Sequence, residues 1–291
     1  MKDQPAHRGI PKPEIEIAWY EACRLDVAVF KPGNVSLASP GHDMSAEDFL
    51  TSAAVSLPPM LNPELGVGAR VLAAVRATRA AVGCNTNLGI LLLAAPILKA
   101  AEQSDEASVP AIWRALKAVL AGLTAADAAE VYRAIAEAAP GGLGEVEEAS
   151  VHSAPPETLL HGMALAQARD RIAYEFVHDF AGVFGLGQRS LNEGYARWQS
   201  IDAAVQWCFL SWLADTPDSH IARKYGKALA ESVRAEAVRL ASEIKACENP
   251  PDFERPLADF DTKLKARKVN PGTTADLTVA STLVWWLSDR G

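Results

Sequence analysis

Residues 88–98 read Leu88-Gly89-Ile90-Leu91-Leu92-Leu93-Ala94-Ala95-Pro96-Ile97-Leu98 and form the longest apolar run of the chain. The run is about half of the roughly 20 residues that a membrane-spanning helix requires, and it contains Pro96. It therefore predicts a buried core helix. Around it, apolar residues recur with a helical period, Ala and Leu are abundant, and strand-type alternation is scarce. The sequence accordingly predicts an all-α fold.

The predicted fold is a single globular multi-helix domain with about ten or eleven helices. The expected helices are 15–30, 46–57, 63–82, 87–102, 109–121, 125–138, 156–183, 192–213, 217–247, 252–268 and 273–288. Residues 1–14 are interpreted as a polar tail and residues 15–291 as the domain. The stretch 139–150, which is Gly-rich and acidic, is expected to be a flexible loop.

Composition and charge narrow the class of protein. The chain has 291 residues, of which 49% are apolar, and this is enough for a sizeable core. Its net charge of −8 argues against a nucleic-acid surface, since phosphate-backbone binding normally requires a basic face. No N-terminal segment joins basic residues to an apolar stretch, so neither an export signal nor a membrane anchor is expected. The four cysteines form no CxxC pair, which predicts neither a zinc site nor a disulfide framework and favours a reducing cytoplasm.

Three polar clusters stand where apolar segments begin or end. They are Lys31-Pro32-Gly33-Asn34, Cys84-Asn85-Thr86-Asn87-Leu88-Gly89 and Asn270-Pro271-Gly272-Thr273-Thr274-Ala275-Asp276. A helix start has backbone N–H groups without partners and a partial positive charge, so it attracts anions, and glycine lets a phosphate approach. The clusters therefore predict parts of one phosphate-handling site. Ordinary helix capping is the simpler alternative for each cluster taken alone.

A fourth group of polar residues occupies positions 215–226. Asp215 precedes an expected helix, and the segment from Asp218 to Arg223 spans more than one helical turn, so acids and bases can face one pocket. Carboxylates there can hold Mg²⁺, while Arg223 and Lys224 can bind phosphate oxygens. The alternative is a solvated amphipathic helix with intrahelical ion pairs. We expect this group to converge with the three polar clusters.

Two His-Asp pairs suggest a different chemistry. His42-Asp43 precedes the second expected helix, and His178-Asp179 lies in the seventh. Helical metal-dependent phosphohydrolases use such pairs, but they need further ligands whose spacing is not found in this sequence. Of the remaining candidates, His161 is expected to be a packed histidine and Asp170-Arg171 to contribute an interhelical ion pair.

Four segments occur in the order Asp26-Val27-Ala28-Val29-Phe30-Lys31-Pro32-Gly33-Asn34-Val35, Gly41-His42-Asp43-Met44, Asn85-Thr86-Asn87-Leu88-Gly89 and Asn270-Pro271-Gly272 to Asp276-Leu277. In this order they resemble the triphosphoribosyl-dephospho-CoA synthase family, and the resemblance covers most of the chain. It implies a helical, cytoplasmic enzyme that transfers the triphosphoribosyl part of ATP to the 2′-hydroxyl of 3′-dephospho-CoA and releases adenine.

The resemblance implies that an alcohol displaces the leaving group at the anomeric carbon of a phosphorylated ribose. Positive charge develops on the ribose, so a carboxylate is needed to stabilise it and a base to remove the hydroxyl proton. The expected catalytic residues are Asp43, Asp215, Asp276 and His42, and the three aspartates are also the expected Mg²⁺ ligands. The expected substrate- and phosphate-binding residues are Lys31, Gly33, Asn34, Asn85, Thr86, Asn87, Gly89, Asp218, Arg223, Lys224, Asn270, Gly272, Thr273 and Thr274.

Two departures from the family pattern leave the substrates open. Family members typically have Asn-Thr-His-Lys-Gly at residues 85–89, and a Gly-Ala-Arg-Gly-Glu type segment does not follow His161-Gly162. Such a variant resembles homologues associated with archaeal and methylotrophic one-carbon pathways. This implies, as an alternative, phosphoribosyl transfer from ATP or phosphoribosyl pyrophosphate to an alcohol precursor of a tetrahydromethanopterin-type cofactor. A second alternative is a nucleotide-binding helical protein without transfer activity.

Trp285-Trp286 suits either the core, which we favour, or a homo-oligomer interface.

Overall fold

The all-α prediction is confirmed by a computed structural model, which describes residues 9–37, 45–138 and 157–288. These residues form fourteen α-helices, so the predicted number is too low. The helices are α1 (Lys12–Ala28), α2 (Ala46–Met60), α3 (Val67–Val82), α4 (Leu88–Gln103), α5 (Val109–Ala121), α6 (Ala125–Ala138), α7 (Leu159–Ala166), α8 (Arg171–Val177), α9 (Gln188–Trp198), α10 (Ile201–Asp215), α11 (Ser219–Tyr225), α12 (Lys227–Ala246), α13 (Pro251–Ala266) and α14 (Gly272–Leu287). The predicted loop at 139–150 lies outside the described residues.

The predicted helix 156–183 is wrong, because the structure divides it into α7 and α8. Asp170 begins α8, since its Oδ1 accepts hydrogen bonds from the backbone N–H groups of Ile172 and Ala173. After α8 the backbone turns at Asp179 and Phe180, which both have positive φ, and enters a π-helical turn, Val183–Gly187. The hydrophobic period of the sequence therefore continues across points where the chain changes direction.

Two further predicted helices are also divided. The segment 192–213 is interrupted at Gln199, which has a left-handed backbone, and the Ser200 side chain then caps α10. The segment 217–247 is interrupted at Gly226, whose φ of 93° and ψ of 156° lie outside the helical region. Each interruption therefore divides one predicted helix into two observed helices.

Within the described part of the chain, the core consists of two hydrophobic clusters. The larger cluster contains the apolar residues of α4, where all of 90–98 are buried, and this confirms the predicted buried helix. The smaller cluster is built mainly from α10, α12 and α13. Helix α10 belongs to both, because Cys208 lies in the larger cluster and Phe209 in the smaller.

Helix α14 is largely buried, and its N-terminal end positions the candidate site. It packs against α1, α4 and α10. Its interior hydroxyls donate to carbonyls one turn earlier, as Thr278 does to Thr274, and so remain hydrogen-bonded in the core. Trp285 near its other end is 4% exposed and joins the larger cluster, as expected for a core residue.

Within the described ranges no single helix has the length and apolar character to cross a bilayer, and only α5 and α6 reach it as a pair, which is bent by 96°.

Candidate active site

Asp276 lies in the first turns of α14, where it contacts the N-terminal turn of α4. Its Oδ2 atom lies so close to Gly89 that a Cβ atom at residue 89 would overlap the carboxylate. The same Cβ would lie 3.0 Å from Cδ1 of Ile172 on α8. Gly89 was predicted to admit a phosphate, and the structure shows that it admits the carboxylate of Asp276.

The carboxylate of Asp276 has an unusual electrostatic environment. Burial raises the pKa of Asp276 well above its ordinary value. The negative charges of Asp26, Asp218 and Asp170 raise the pKa further, whereas the positive charge of Arg223 lowers it. The side chain keeps some exposure, and no hydrogen bond or ion pair from the described part of the chain involves it. It is therefore available to a ligand.

Asp218 joins the first turns of α11 and α14. It is 3% exposed, and its Oδ1 accepts a hydrogen bond from the Ile221 N–H. Its Oδ2 accepts hydrogen bonds from both the N–H and the hydroxyl of Thr274, each at 2.8 Å. The Ser219 hydroxyl adds a bond of 3.0 Å to Oγ1 of Thr273. Asp218 and the two threonines thus fix the helix ends, and Asp218 acts on the site through its charge.

Arg223 lies on α11, and its side chain reaches Asp170 at the start of α8. Its Nη1 donates to Oδ2 of Asp170 at 3.3 Å, and its Nη2 lies 3.4 Å from Nδ1 of His220. Both contacts are long, and its Nε is buried without a hydrogen-bond partner among the described residues. The pair with Asp170 is the interhelical ion pair that the sequence predicted for this segment. Arg223 keeps donor capacity for an anion.

The first and third polar clusters contact each other. The Nδ2 of Asn34 donates to Oδ1 of Asn270 at 3.1 Å, and the N–H of Gly33 donates to Oδ1 of Asp261 on α13 at 2.7 Å. Gly33 has a φ of 77°, and a Cβ there would come within 2.9 Å of Cδ of Pro271. Gly272 lies beside the His220 ring, which would be 3.5 Å from a Cβ at that position. The predicted convergence is therefore observed for these described residues.

Lys31 faces the interior of the protein. Its side chain is fully buried, and Nζ lies 3.1 Å from Oδ1 of Asp26. Nζ also donates to the backbone carbonyls of Asp26 and Val29. The predicted contact with phosphate is not available to Lys31 in this structure, because no part of the ammonium reaches the surface.

The polar side chains before α4 have mainly local partners. Oδ1 of Asn85 accepts the Leu88 N–H at 3.1 Å, and the Thr86 hydroxyl donates to Oγ of Ser52 on α2 at 2.7 Å. Asn87 is buried at the first position before the helix, and its side chain makes no capping bond. Asn85 thus matches the helix-capping alternative, whereas Thr86 bonds to α2 and Asn87 makes no capping bond.

Asp215 and Lys224 are not in contact with Asp276. Asp215 is exposed, its Oδ2 accepts the Thr216 hydroxyl, and it lies 3.8 Å from Nη1 of Arg171. Lys224 is exposed, with its Nζ 5.4 Å from the centroid of the Tyr225 ring. The predicted catalytic residues His42 and Asp43 lie outside the described residues.

The phosphohydrolase alternative finds no support in the described ranges. No three His, Cys, Asp or Glu side chains in them are grouped so as to hold a metal ion. His178 stacks on Tyr174, and the carbonyl of Asp179 accepts the Trp113 indole N–H. The prediction of a packed His161 is wrong, because this side chain is exposed on α7.

Asp26 and Asp170 were missing from the predicted site. Asp26 is 6% exposed and stands between Leu25 and Val27 in the apolar part of α1, so a charged residue within a buried helix was the available signal. Asp170 directly precedes α8 and looks like a simple helix cap in the sequence. The candidate site therefore contains Asp276 and Arg223, which the sequence predicted, together with these two additional carboxylates.

Comparisons with known proteins agree with this helical architecture. Residues 12–291 match the CitG family, described as ATP:dephospho-CoA triphosphoribosyl transferase. The fold is similar to the crystal structure of a proposed triphosphoribosyl-dephospho-CoA synthase from Archaeoglobus fulgidus, with a TM-score of 0.61 and 23% sequence identity over 81% of this chain and 96% of that chain. A search of curated protein sequences gives no significant match. Because the family match extends over nearly the whole sequence, the chain belongs to the CitG family of triphosphoribosyl transferases.

Proposed function

We propose that this transferase moves the triphosphoribosyl group of ATP to an alcohol, with the 2′-hydroxyl of 3′-dephospho-CoA as acceptor, and releases adenine. The family match supports this reaction class. The observation that carries the proposal is Asp276, a carboxylate that has no partner among the described residues and lies where α4, α8, α11 and α14 meet.

In the proposed reaction the acceptor oxygen bonds to the anomeric carbon of the ATP ribose while the bond to adenine breaks. Positive charge develops on the ribose ring, the acceptor hydroxyl loses its proton, and the departing adenine gains one, so no net proton is released. Asp276 is suited to both needs, because its raised pKa makes the ionised carboxylate a stronger base than an ordinary aspartate. We assign to it proton removal from the acceptor and stabilisation of the ribose charge.

The triphosphate is assigned to Arg223. Its guanidinium has an unpaired Nε and two long contacts, so it can form stronger charge-assisted hydrogen bonds to phosphate oxygens. The N-terminal turn of α14 begins beside it, at Gly272 next to His220, and adds a favourable dipole for an anion. Arg223 supplies one positive charge beside the carboxylates of Asp276 and Asp170, so binding of the triphosphate also calls for a cation.

This group of side chains suits a Mg²⁺ ion that is bound jointly by the protein and the substrate. The described residues provide no complete protein cage, but Mg²⁺ usually takes only one or two carboxylates and completes its shell with water and substrate phosphates. Asp276 and Asp170 would hold it, and a cation there would relieve the repulsion among the neighbouring carboxylates. When bound, it would neutralise part of the triphosphate charge.

The reaction is tested by mass spectrometry with ATP, Mg²⁺ and dephospho-CoA. We expect adenine and triphosphoribosyl-dephospho-CoA to appear in equal amounts. With phosphoribosyl pyrophosphate as donor, release of pyrophosphate instead would contradict ATP as the donor. Donor consumption or binding without a dephospho-CoA product would contradict this acceptor and favour another alcohol, such as a precursor of a tetrahydromethanopterin-type cofactor. Nucleotide binding that yields no product with any alcohol would favour the non-catalytic alternative.

The role of Asp276 is tested by Asp276→Asn. This change should lower kcat by about 10²-fold or more, since general base catalysis contributes on this order. It should leave the melting temperature nearly unchanged, because a carboxylate without a hydrogen-bond partner among the described residues is replaced by a neutral group of the same shape. The matched control is Asp259→Asn on the exposed face of α13, where the carboxylate is 66% exposed. A normal rate in Asp276→Asn would remove this residue from the mechanism.

A further inference from the structure

We propose that Lys31 is a positioning residue, which pairs with the buried Asp26 on α1 and so holds the segment whose Gly33 and Asn34 contact the turn before α14, and that it does not bind phosphate. The proposal rests on the proposed function, because it concerns the same site. Residues 31–34 connect α1 to the turn before α14, and we call this segment the α1–α14 buckle.

The hydrogen-bond acceptors of Lys31 lie within the protein. An ammonium group has three donors. Nζ donates to the Asp26 carbonyl and to the Val29 carbonyl at 3.5 Å, and it forms an ion pair with Oδ1 of Asp26 at 3.1 Å. Because its side chain is fully buried, Lys31 has no accessible surface for a phosphate.

The remainder of the buckle is packed tightly against the turn that begins α14. Gly33 is held by Asp261 through its N–H, and its Cα approaches Pro271 so closely that no side chain fits. Asn34 is bonded to Asn270. The turn 270–272 therefore cannot shift without disturbing the buckle, and Asp276 follows one turn later on the same helix.

The position of Asp26 depends on Lys31 for an electrostatic reason. Asp26 is 6% exposed and its only charged partner in the described ranges is Lys31. Replacing Lys31 by a neutral residue would leave a buried carboxylate without compensation, close to the charge of Asp276. The carboxylate would then move or protonate, and in either case the surroundings of Asp276 would change.

The first test separates positioning from phosphate binding. Lys31→Met should lower kcat for adenine release by about 10²-fold, as expected for misplacement of a catalytic group, while the KM for ATP stays within about twofold. The Kd for inorganic tripolyphosphate, measured by calorimetry, should also stay within about twofold. Arg223→Met, in contrast, should weaken tripolyphosphate binding by about tenfold or more. The matched control is Lys12→Met, which removes a lysine whose side chain is 66% exposed at the start of α1.

Lys31→Arg adds an independent comparison. An arginine would preserve a phosphate contact, but its planar group cannot replace a compact ammonium that is fully enclosed. We therefore expect Lys31→Arg to be as impaired in kcat as Lys31→Met. A tenfold loss of tripolyphosphate affinity in Lys31→Met that Lys31→Arg restores would overturn the proposal, and this threshold is on the order of one lost ion pair.

A stability cycle remains informative if the wild-type protein releases no adenine or if Lys31→Met folds poorly. Lys31→Met should lower the melting temperature strongly, and adding Asp26→Asn in the same chain should recover most of the loss, because the buried charge is then removed. Additive losses in the double variant would contradict a pair of this kind. If the protein releases no adenine but the cycle shows strong coupling between Lys31 and Asp26, the proposed function is rejected and the positioning role of Lys31 stands.

Discussion

At the scale of single residues, Gly89 determines where the carboxylate of Asp276 lies. The N-terminal turn of α4 can approach α14 only because residue 89 lacks a Cβ atom. Helix propensity would favour Ala at this position by about 1 kcal/mol, so the glycine is retained against the local preference of the helix. The close contact with Asp276 supplies the physical reason.

Gly89→Ala is therefore expected to displace Asp276 and to reduce kcat for adenine release by about 10²-fold, the cost of moving a catalytic group by about 1 Å. The control is Gly185→Ala in the π-helical turn, where an added Cβ meets no atom within 4 Å. Steady-state rates and melting temperatures of both variants provide the measurement. Equal rates in the two variants would show that the Gly89 contact does not matter for catalysis.

Residue types at helix boundaries predicted that the polar clusters lie close together, but they did not predict what each side chain contacts. Asn34, Gly89 and Asp276 do lie in the region where the clusters meet. The sequence could not show that Lys31 points inward, because its partner Asp26 is recognisable only once α1 is seen to be buried. Tertiary contacts, which local patterns do not encode, decide between a structural and a ligand-binding role for a lysine or an asparagine.

At the scale of secondary-structure elements, Gly226 separates α11 from α12. Its φ of 93° and ψ of 156° fall in a region that is essentially restricted to glycine. The break allows α11 to carry Asp218 and Arg223 into the site while α12 packs in the smaller cluster. A continuous helix over 217–247, as the periodicity predicted, would not aim both segments correctly.

Gly226→Ala should lower the free energy of unfolding by about 1–3 kcal/mol, the usual cost of forcing a residue with a Cβ into this backbone region. The cost arises from the backbone alone, because an added Cβ at residue 226 meets no atom within 4 Å. Urea unfolding, with Gly185→Ala as control, measures it. An unchanged unfolding midpoint would contradict the argument.

The elements that the sequence predicted correctly differ from those it missed in a physical way. Helices α5 and α6 have the predicted bounds, because clear turn residues separate amphipathic segments of ordinary length. The breaks at Asp170, Ser200 and Gly226 each carried a capping or glycine signal. The hydrophobic period continued across them, however, since the residues on both sides pack into the same clusters.

At the scale of the whole molecule, buried carboxyl groups affect how stability depends on pH. Glu175 is fully buried, and burial raises its pKa above the ordinary value. The ion pair with Arg171 and the N–H groups of Val183 and Gly182 lower the pKa only in part. Because the folded state binds this proton more tightly than the unfolded state, the contribution of Glu175 to stability falls as pH rises from about 4.3 through the raised pKa.

Glu175→Gln removes this titration. The free energy of unfolding of the variant minus that of the wild type should therefore increase as pH rises from about 4.5 to about 8, whatever its absolute value. The variant also loses the ion pair with Arg171. This loss changes the free energy of unfolding by the same amount at every pH in this range, because arginine stays charged. Urea unfolding at several pH values measures the difference. A difference that does not change with pH would contradict the raised pKa.

The division of α10 between the two hydrophobic clusters has a consequence for cooperativity. One face of the helix packs in the larger cluster and the other face in the smaller cluster. Unfolding of either cluster would therefore remove the packing contacts of one face of α10. If one cluster opened alone, the face of α10 that packs in it would become exposed to water while the other face stayed packed. Such partial opening would be unfavourable. We therefore expect the two clusters to unfold together, and hydrogen exchange should find the slowest-exchanging amide protons in α10.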